Sequence, residues 1–263
     1  MPWGQRSAVD SPGRACASGR VRPGGVRTGG AADAPYAGHV TQGLPSGDLP
    51  EPTPALPPTH EATTHGVGPH PRPWPEGPQY DPELLEHGDT RNVVDRFRYW
   101  SMAAIVADLD TRRHSFDVAI ENWQHDPNIG SIVRTANAFL AGTVHIIGRR
   151  RWNRRGAMVT DRYQHVRHHE DVAAFLAVMR AEGRPVVAID NTPGASRIET
   201  ASIPARCVFL FGQEGPGLTD EAVSGADGHL EITQFGSTRS INASAAAAIV
   251  MHSWVVRHAE LPA

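Results

Sequence analysis

An asparagine and an arginine near the start of one predicted helix could do chemistry together. Asn128 lies in the first helical turn, just after a predicted strand, and Arg134 follows six residues later, about 9 Å further along the helix axis. Helical side chains lean toward the helix N-terminus, so the long Arg134 side chain could reach the space in front of the strand. The alternative is that Arg134 is an ordinary surface arginine and that Asn128 only starts the helix.

Three more polar residues lie at turns that follow predicted strands. Glu214 lies within GQEGPG, where the flanking glycines indicate a loop of fixed shape, although a solvated loop acid is the simpler interpretation. Ser240 and Asn242 start a long Ala-rich segment with helical periodicity, and Ser and Asn are preferred N-cap residues. The residue types alone therefore leave structural and functional roles open.

Two glycine-rich strand ends predict where a ligand would bind. Residues 207–211 form a short apolar run, typical of a buried strand, which glycines and a proline break at once. A second predicted strand, residues 229–233, runs into Gln234, Phe235 and Gly236. In open α/β sheets, ligands bind at the carboxyl ends of strands, where glycines let the backbone approach the ligand. We therefore expect a cofactor pocket between these turns.

Three segments of the chain, taken in order, resemble the motifs of a known family. They are NWQHDPNIGSIVRTANAFLAGTVHIIG, FGQEGPGLT and ITQFGSTRSINASAAAAI. Together they resemble the three motifs of the SpoU (TrmH-like) branch of the SPOUT RNA methyltransferases. The resemblance covers residues 116–258, a little over half of the chain. The order and spacing of the segments make it far more specific than any single motif.

The resemblance implies an S-adenosylmethionine-dependent methyltransferase that modifies the ribose 2′-hydroxyl of tRNA or ribosomal RNA. The matching residues at the catalytic centre are Asn128, Arg134, Glu214, Ser240 and Asn242. Those in the cofactor pocket, where backbone groups would hold much of the adenine, are Leu210, Gly212, Gly217, Ile232, Gln234 and Ile241.

The role of Arg134 follows from the chemistry of its side chain. In the family that the sequence resembles, the matching arginine has been proposed as general base on the ribose hydroxyl. A guanidinium group is not readily deprotonated in a protein. We therefore assign Arg134 to clamping an RNA phosphate and polarising the hydroxyl, and Asn128 to orienting it. The reaction is an in-line displacement on a sulfonium methyl group, so alignment supplies much of the catalysis.

Strands that alternate with helices predict an α/β fold, a mostly parallel sheet with helices on both faces. The first predicted helix has Asp126 as N-cap and Pro127 at its first position, and it ends near residue 140. The further predicted strands are 116–122, 143–148 and 185–190, and a second helix covers 171–181.

The resemblance adds two features to this fold. The family fold is a SPOUT-type α/β knot, in which the C-terminal segment forms a trefoil knot that holds the cofactor. The family also works as homodimers whose interface lies beside the active site. The Ala-rich helix 243–257, with Ile249, Trp254 and Val255 available to bury, is the expected dimer surface, although its pattern does not distinguish a dimer contact from the core.

The strongest basic run of the chain, RRRWNRR, follows a predicted strand directly. Arginines clustered with an aromatic ring are typical of phosphate binding combined with base stacking. We favour RNA contact over a solvated basic loop for this run, whose members are Arg149, Arg150, Arg151, Trp152, Arg154 and Arg155.

Composition excludes several classes of protein. All 25 basic residues are arginine, so a G-x-x-x-x-G-K phosphate loop and a Schiff-base lysine are both excluded. The two cysteines are too few and too far apart for a plausible disulfide or metal site. No apolar run is long enough to span a bilayer. We expect a protein of the reducing cytoplasm.

The histidines of HVRHH, which are His165, His168 and His169, could suggest a metal site. They lack a carboxylate or cysteine partner at helical i, i+4 spacing, and the chain has 14 histidines in all, so clustering is unsurprising. We expect no metal.

Composition also divides the chain. Residues 1–80 are rich in proline and glycine and poor in large aliphatic residues, so we expect a disordered tail or the product of a misassigned start codon rather than a transit peptide. Residues 81–112 are expected to form a helical extension, with Val93, Val94, Phe97 and Trp100 on one face and Arg91, Arg96 and Arg98 facing solvent or a partner. Residues 113–260 form the predicted methyltransferase domain.

Other functions stay open at this point. The chain could be an RNA-binding knot protein without catalysis, or a base methyltransferase of the same fold. A dinucleotide-dependent oxidoreductase is a third alternative, but a G-x-G-x-x-G after the first strand is missing. The sequence does not identify the target RNA or nucleotide.

Overall fold

The structure, a computed structural model, describes residues 66–124 and 127–260. The strands are β1 (Phe116–Asn122), β2 (Thr143–Gly148), β3 (His165–His169), β4 (Val186–Ile189), β5 (Ser196–Arg197), β6 (Cys207–Phe211) and β7 (Gly228–Glu231). The α-helices are α1 (Pro82–His87), α2 (Met102–Asp110), α3 (Asn128–Ala138), α4 (Val172–Ala181), α5 (Asp220–Gly225) and α6 (Ala243–His258).

The seven strands form one sheet in the order β3-β2-β1-β6-β4-β7-β5. Every neighbouring pair is parallel, so the predicted parallel sheet is confirmed. Parallel neighbours point their carboxyl ends at one edge of a sheet. The loops that follow β4, β6 and β7 therefore meet at that edge.

Helices cover both faces of the sheet, as the alternation of elements predicts. On one face, α3 and α6 bury Ile132 and Trp254 against the central strands. On the other face, Phe175 of α4 packs with Val208 and Leu210 of β6. Consecutive residues of a strand point to opposite faces, so the continuous apolar run of β6 serves both cores.

Trp254 corrects one expectation about the dimer surface. Its indole is buried, lies 4.6 Å from the Phe116 ring between centroids, and donates to the carbonyl of Pro204 at 3.2 Å. It belongs to the core and is not available to a second subunit. Val255 is partly buried against the same core, whereas Ile249 is exposed.

The extension is less helical than its pattern predicts. Only Asp95–Phe97 forms a short 3-10 turn between α1 and α2, and Val94 is exposed rather than packed beside Phe97. The reason is the buried carboxylate of Asp89, which accepts hydrogen bonds from the Arg91 guanidinium and the Tyr99 backbone N–H. These bonds fix the intervening backbone as a loop.

Residues 66–80, which composition assigns to the tail, pack against the extension. The Val67 N–H donates to the Asp89 carbonyl at 2.9 Å, and the His70 N–H donates to the Leu85 carbonyl at 2.9 Å. Residues 66–80 therefore belong to the packed structure rather than to a disordered tail. The rest of the expected tail, residues 1–65, lies outside the described residues.

Helix starts follow their capping residues. Asp171 caps α4 as N-cap, with its side chain accepting from the Ala174 N–H, and Asn242 caps α6. Helix α3 begins at Asn128 with Pro127 in the N-cap position, while the predicted cap Asp126 lies outside the described residues. None of the described helices is long and apolar enough to cross a membrane.

Candidate functional site

A cavity of about 480 Å³ opens at the carboxyl ends of β4, β6 and β7. This volume falls in the range of small-molecule pockets. The three loops that follow these strands build its walls, as the two glycine-rich turns predict. The lining residues are Ile189, Asp190, Asn191, Phe211, Gly212, Gln213, Glu214, Gly215, Pro216, Gly217, Ile232, Gln234, Arg239, Ser240, Ile241, Asn242, Ala243 and Ala246.

Three side chains, which we name the amide–carboxylate trio (Asn128, Glu214 and Asn242), meet at the side of this cavity. The Asn128 amide donates to the Glu214 carboxylate. The Asn242 amide donates to the Asn128 oxygen at 2.9 Å and to Glu214 Oε2 at 3.3 Å. Direct hydrogen bonds thus join Asn128 to Glu214, which lies 86 positions later in the sequence, and to Asn242, which lies 114 positions later.

The start of α6 places Asn242 in the trio. Its Oδ1 accepts hydrogen bonds from the N–H groups of Ser244 and Ala245, at 3.0 and 3.3 Å, which is the usual N-cap arrangement. The amide nitrogen is therefore directed toward Asn128 and Glu214. The predicted cap role and the predicted site role of Asn242 are compatible.

The loop after β6 owes its shape to two close approaches of the backbone. Gln213 and Gly217 exchange backbone hydrogen bonds of 3.1 Å each, and Gly217 has a φ of 75°, which favours glycine. A Cβ at Gly212 would lie 2.1 Å from the Gly217 carbonyl carbon. Larger residues at these two glycines would displace Glu214.

Two buried residues that the sequence did not single out hold this loop in place. The Gln213 oxygen accepts from the Trp123 N–H at 2.8 Å. The fully buried Glu121 accepts from the Thr219 N–H and hydroxyl, each at 2.8 Å, and from the Trp123 indole at 3.0 Å. An acid near the end of a buried strand was the signal that could have identified Glu121, since buried carboxylates need partners.

The cavity offers polar groups suited to a nucleoside cofactor with charged substituents. Gln234 Oε1 is buried and has no hydrogen-bond partner within residues 66–124 and 127–260, so it can accept from a ligand. Asp190 and Arg239 add one charge of each sign to the lining. Of the predicted cofactor residues, Gly212, Gly217, Ile232, Gln234 and Ile241 line the cavity, and so does Ser240.

Leu210 is the exception among the predicted cofactor residues. Its side chain is fully buried against α4, on the opposite face of the sheet from α3 and α6, and does not line the cavity. Phe211 lines it instead, because strand alternation turns consecutive side chains to opposite faces.

Arg134 is not brought into the trio within the chain. It is exposed on α3, is absent from the cavity lining, and makes no hydrogen bond or ion pair to any other described residue. A helix turns about 100° per residue, so over six residues the Arg134 side chain leaves the helix about 120° away from the direction of Asn128. Its guanidinium can meet a reacting group only when another molecule covers the exposed face of α3.

The basic loop (residues 149–155) presents five exposed arginines beside the start of α3. The Asn122 amide anchors it by donating to the carbonyls of Arg149 and Arg151 at 2.6 and 3.0 Å. A Cβ at Gly130 would lie 2.8 Å from the Asn153 carbonyl oxygen, so the loop packs directly on α3. The charged surface therefore adjoins the helix that carries Asn128.

Trp152 packs partly against the core, which limits the ring area that is open to the predicted stacking on a base. Its ring is half-buried against the core, with the Arg154 guanidinium 5.4 Å from the ring centroid. It anchors the loop. Within the described residues Arg154 also lies 3.4 Å from Asp161, whereas the other four arginines of the loop form no ion pair there.

Arginines of the extension are neutralised by neighbouring carboxylates. Arg91 pairs with Asp89 at 2.7 Å, and Arg96 pairs with Asp108. Arg98 lies 3.6 Å from an Asp95 oxygen and donates to the Arg91 carbonyl at 2.6 Å. These arginines, expected to face solvent or a partner, stabilise the extension.

The histidines of HVRHH lie in the edge strand β3. Within the described residues, no group of three or more His, Cys, Asp or Glu side chains is arranged to hold a metal ion. His169 is buried and shares a 2.8 Å hydrogen bond with His145. Burial, with the neighbouring charges of His145 and Arg167, lowers the pKa of His169 to about 4.

Comparison with known proteins shows that the chain matches a known family and is similar in sequence to characterised enzymes. The model of a family described as the SpoU rRNA Methylase family matches residues 115–252. A tRNA (guanosine(18)-2′-O)-methyltransferase from Borreliella burgdorferi is 25% identical over 152 residues, which are 57% of this chain and 70% of that protein.

Two solved structures share the fold. The A. aeolicus TrmH/SpoU tRNA modifying enzyme superposes with a TM-score of 0.52 at 20% identity, over 58% of this chain and 80% of that one. The AdoMet-bound rRNA methyltransferase from Sinorhizobium meliloti gives a TM-score of 0.50 at 24% identity, over 58% and 60% of the two chains.

Proposed function

Because the chain belongs to the SpoU rRNA methylase family, we propose that it is an S-adenosylmethionine-dependent RNA methyltransferase that modifies the ribose 2′-hydroxyl of tRNA or ribosomal RNA. The observation that carries the proposal is the amide–carboxylate trio. Three residues from three separate motifs meet at the edge of a cavity of cofactor size.

The cavity residues fit this cofactor. The Gln234 oxygen, which has no hydrogen-bond partner among the described residues, could accept from an amino group such as that of adenine, and the backbone of the three loops that line the cavity would hold the ring. Asp190, which lines the cavity, complements the ammonium group of an amino acid. When bound, S-adenosylmethionine supplies a methyl group on a positively charged sulfur.

The trio positions the methyl acceptor. The Glu214 carboxylate holds both amides, so the directions of the Asn128 and Asn242 amide groups are fixed before RNA arrives. Pre-organised amides can hold a ribose hydroxyl in line with the methyl carbon without the cost of reorganising at the moment of reaction. Ser240, on the cavity lining, is placed to add a hydroxyl contact.

RNA is recognised by the basic loop. Arginines without carboxylate partners are available to phosphates, to which guanidinium groups bind in bidentate fashion. The net charge of the whole chain is −3, so affinity must come from this local surface. The extension, whose arginines are paired, holds the fold together and contributes less.

The functional unit is a homodimer in the cytoplasm, with the C-terminal segment knotted around the cofactor. Arg134 supports the dimer, because its exposed position lets it serve the cavity of a second subunit, where it clamps a phosphate and polarises the hydroxyl. The exposed apolar residues Ile249 and Val256 of α6 are available to that interface. The buried free thiol of Cys207 agrees with a reducing compartment.

Calorimetry and methyl transfer together test the proposal. Purified protein is expected to bind S-adenosylmethionine and to transfer its labelled methyl group to total RNA. A Glu214→Gln variant keeps the side-chain size but weakens the charge-assisted bonds to both amides, so it should bind cofactor and transfer roughly 100-fold more slowly. RNA binding without cofactor binding would instead identify a non-catalytic RNA-binding protein.

A further inference from the structure

Phe235 is the most exposed large apolar side chain of the described residues, with 96% of its surface open. A single exposed apolar residue is ordinary on a protein surface, so its meaning depends on where it lies. Phe235 lies in the loop that joins β7 to α6, which is also the loop that completes the cavity.

Residues on both sides of Phe235 line the cavity, so Phe235 lies in the loop that borders it. Gln234 precedes it and lines the cavity, and Arg239 lines it four residues later. The Asn191 amide donates to the Arg239 carbonyl at 2.8 Å, and Asn242 caps the helix that follows. The loop is thus tied down at its far end while the Phe235 ring stands in solvent.

Charge indicates the kind of molecule that covers this ring. Arg239 is exposed, and its guanidinium makes no ion pair or hydrogen bond with other residues in the described part of the chain. An open aromatic ring and an unpaired arginine in one loop suit a nucleotide, because the ring stacks on a base and the guanidinium binds a phosphate.

We propose that Phe235 stacks on the base of the nucleotide whose ribose is methylated. This inference rests on the proposed function, since it assumes that the acceptor nucleotide enters the cavity. A nucleotide whose ribose hydroxyl reaches the trio must enter beside the loop between β7 and α6, which lines the cavity and carries the exposed Phe235 ring. Stacking then fixes the plane of the base, and with it the direction of the attached ribose. Every base has a π-face, so the contact holds the nucleotide without selecting its identity.

Three substitutions in the full chain separate stacking from other roles of the side chain. Phe235→Ala and Phe235→Leu are expected to raise the KM for RNA in methyl transfer by roughly 5- to 150-fold. Phe235→Trp, which can still stack, should stay within a few-fold of wild type. Cofactor affinity, measured by calorimetry, should be the same in all four proteins. Val94→Ala, another exposed apolar truncation, is the matched control and should change nothing.

Several results would overturn the inference. The first is a Phe235→Ala variant with the KM of wild type, and the second is a Phe235→Leu variant with a KM as low as that of Phe235→Trp. Loss of cofactor binding by Phe235→Ala would also overturn it. So would dissociation of a Phe235→Ala dimer on size-exclusion chromatography, which would make Phe235 a subunit contact. RNA dissociation constants measured alongside test the stacking contact without turnover. A wild-type protein that binds RNA through Phe235 but transfers no methyl group would refute the proposed function and not the contact.

Discussion

Asn242 performs two tasks at once with the two ends of one amide. Its oxygen caps α6 by accepting from Ser244 and Ala245 N–H groups, while its nitrogen donates to Asn128 and Glu214. The first task belongs to folding and the second to the site. A substitution that keeps the oxygen and removes the nitrogen can therefore separate them.

Asn242→Asp is this substitution. Aspartate is as good an N-cap as asparagine, so the contribution of the cap to the free energy of unfolding, about 1 kcal/mol, should be retained. The nitrogen donor is lost and a second carboxylate faces Glu214, so methyl transfer should fall by roughly 100-fold or more. Thermal unfolding and transfer rates on the same preparation check both statements.

The matched variant Asn242→Ala removes both ends of the amide. It should lose activity as well and, in addition, cost about 1 kcal/mol through the lost cap. An Asn242→Asp protein with normal turnover would show that the amide nitrogen is irrelevant to the chemistry.

Cys207 gives a second prediction for a single residue. Burial raises the pKa of its thiol to about 12, so almost no thiolate exists at neutral pH, and the thiolate is the reactive form. Iodoacetamide at pH 8 should leave Cys207 unmodified in the native protein and alkylate it in guanidinium chloride, as read by mass spectrometry of peptides. Rapid alkylation of the native protein would be inconsistent with the packing of β6.

The roles of individual residues were only partly predictable. Ser240 and Asn242 carried an N-cap pattern, and Asn242 caps α6 where both residues line the cavity, because a helix start beside a strand end is where the backbone offers hydrogen-bonding groups. The prediction that the Leu210 side chain lines the pocket was wrong. In a strand that is apolar on both faces, the sequence does not indicate toward which face a given side chain points. Arg134 does not line the cavity of its own chain, and no local pattern predicts which molecule covers its face of α3.

Among the elements, β3 and its neighbours enclose a buried polar network. The His145 ring lies between His169, at 2.8 Å, and an Asp117 oxygen, at 3.3 Å. Arg184 lies 3.2 Å from the same Asp117 oxygen. Phe175 of α4 packs edge-on against both histidine rings. The hydrogen bonds of this network therefore join the three neighbouring strands β1, β2 and β3.

The low pKa of His169 makes the network sensitive to acid. Its ordinary value is 6.5 and its native value about 4, so the unfolded chain binds more protons between these values. Stability should therefore be complete above pH 6.5, fall by roughly 1–2 kcal/mol as the pH drops toward 4, and then level off. Urea unfolding at a series of pH values measures this loss.

His169→Gln isolates the contribution of this one side chain. The variant cannot take up a proton there, so its stability should fall less steeply than that of wild type between pH 6.5 and 4. His168→Gln, at an exposed neighbouring position of β3, is the control and should follow the wild-type curve. Equal slopes for His169→Gln and wild type would refute the assignment.

The sequence predicted a strand correctly where all of its residues are buried. The run 207–211 is a strand with these same bounds, because a parallel central strand is apolar on both faces. The edge strand β3 has mostly exposed residues, so HVRHH lacks that signal and suggested a metal site instead. In the extension, one buried ion pair at Asp89 overrode a helical pattern.

At the scale of the whole molecule, the position of Arg134 means that its proposed role requires a second subunit. Its own cavity does not include it, and α3 and α6 pack together on one face of the sheet. In a homodimer built on this face, each cavity would receive the arginine of the other subunit. Activity would then belong to the pair rather than to one chain.

Mixing of two inactive variants tests the shared site. Arg134→Ala and Asn242→Asp, co-expressed in equal amounts, should recover about a quarter of wild-type activity, because half of the dimers are mixed and each mixed dimer has one intact site. Asn128→Ala with Asn242→Asp, whose changed residues lie in the same cavity, should recover none. No recovery in the first pair, with mixed dimers present, would place Arg134 outside the shared site.

The most direct test of the central claim is nucleoside analysis of RNA after reaction with purified protein and methyl-labelled S-adenosylmethionine. Digestion and mass spectrometry should find the label in a 2′-O-methylated nucleoside with wild type and in none with Asn128→Ala. Label on a base, or equal 2′-O-methylation by the variant, would contradict a ribose acceptor positioned by the amide–carboxylate trio.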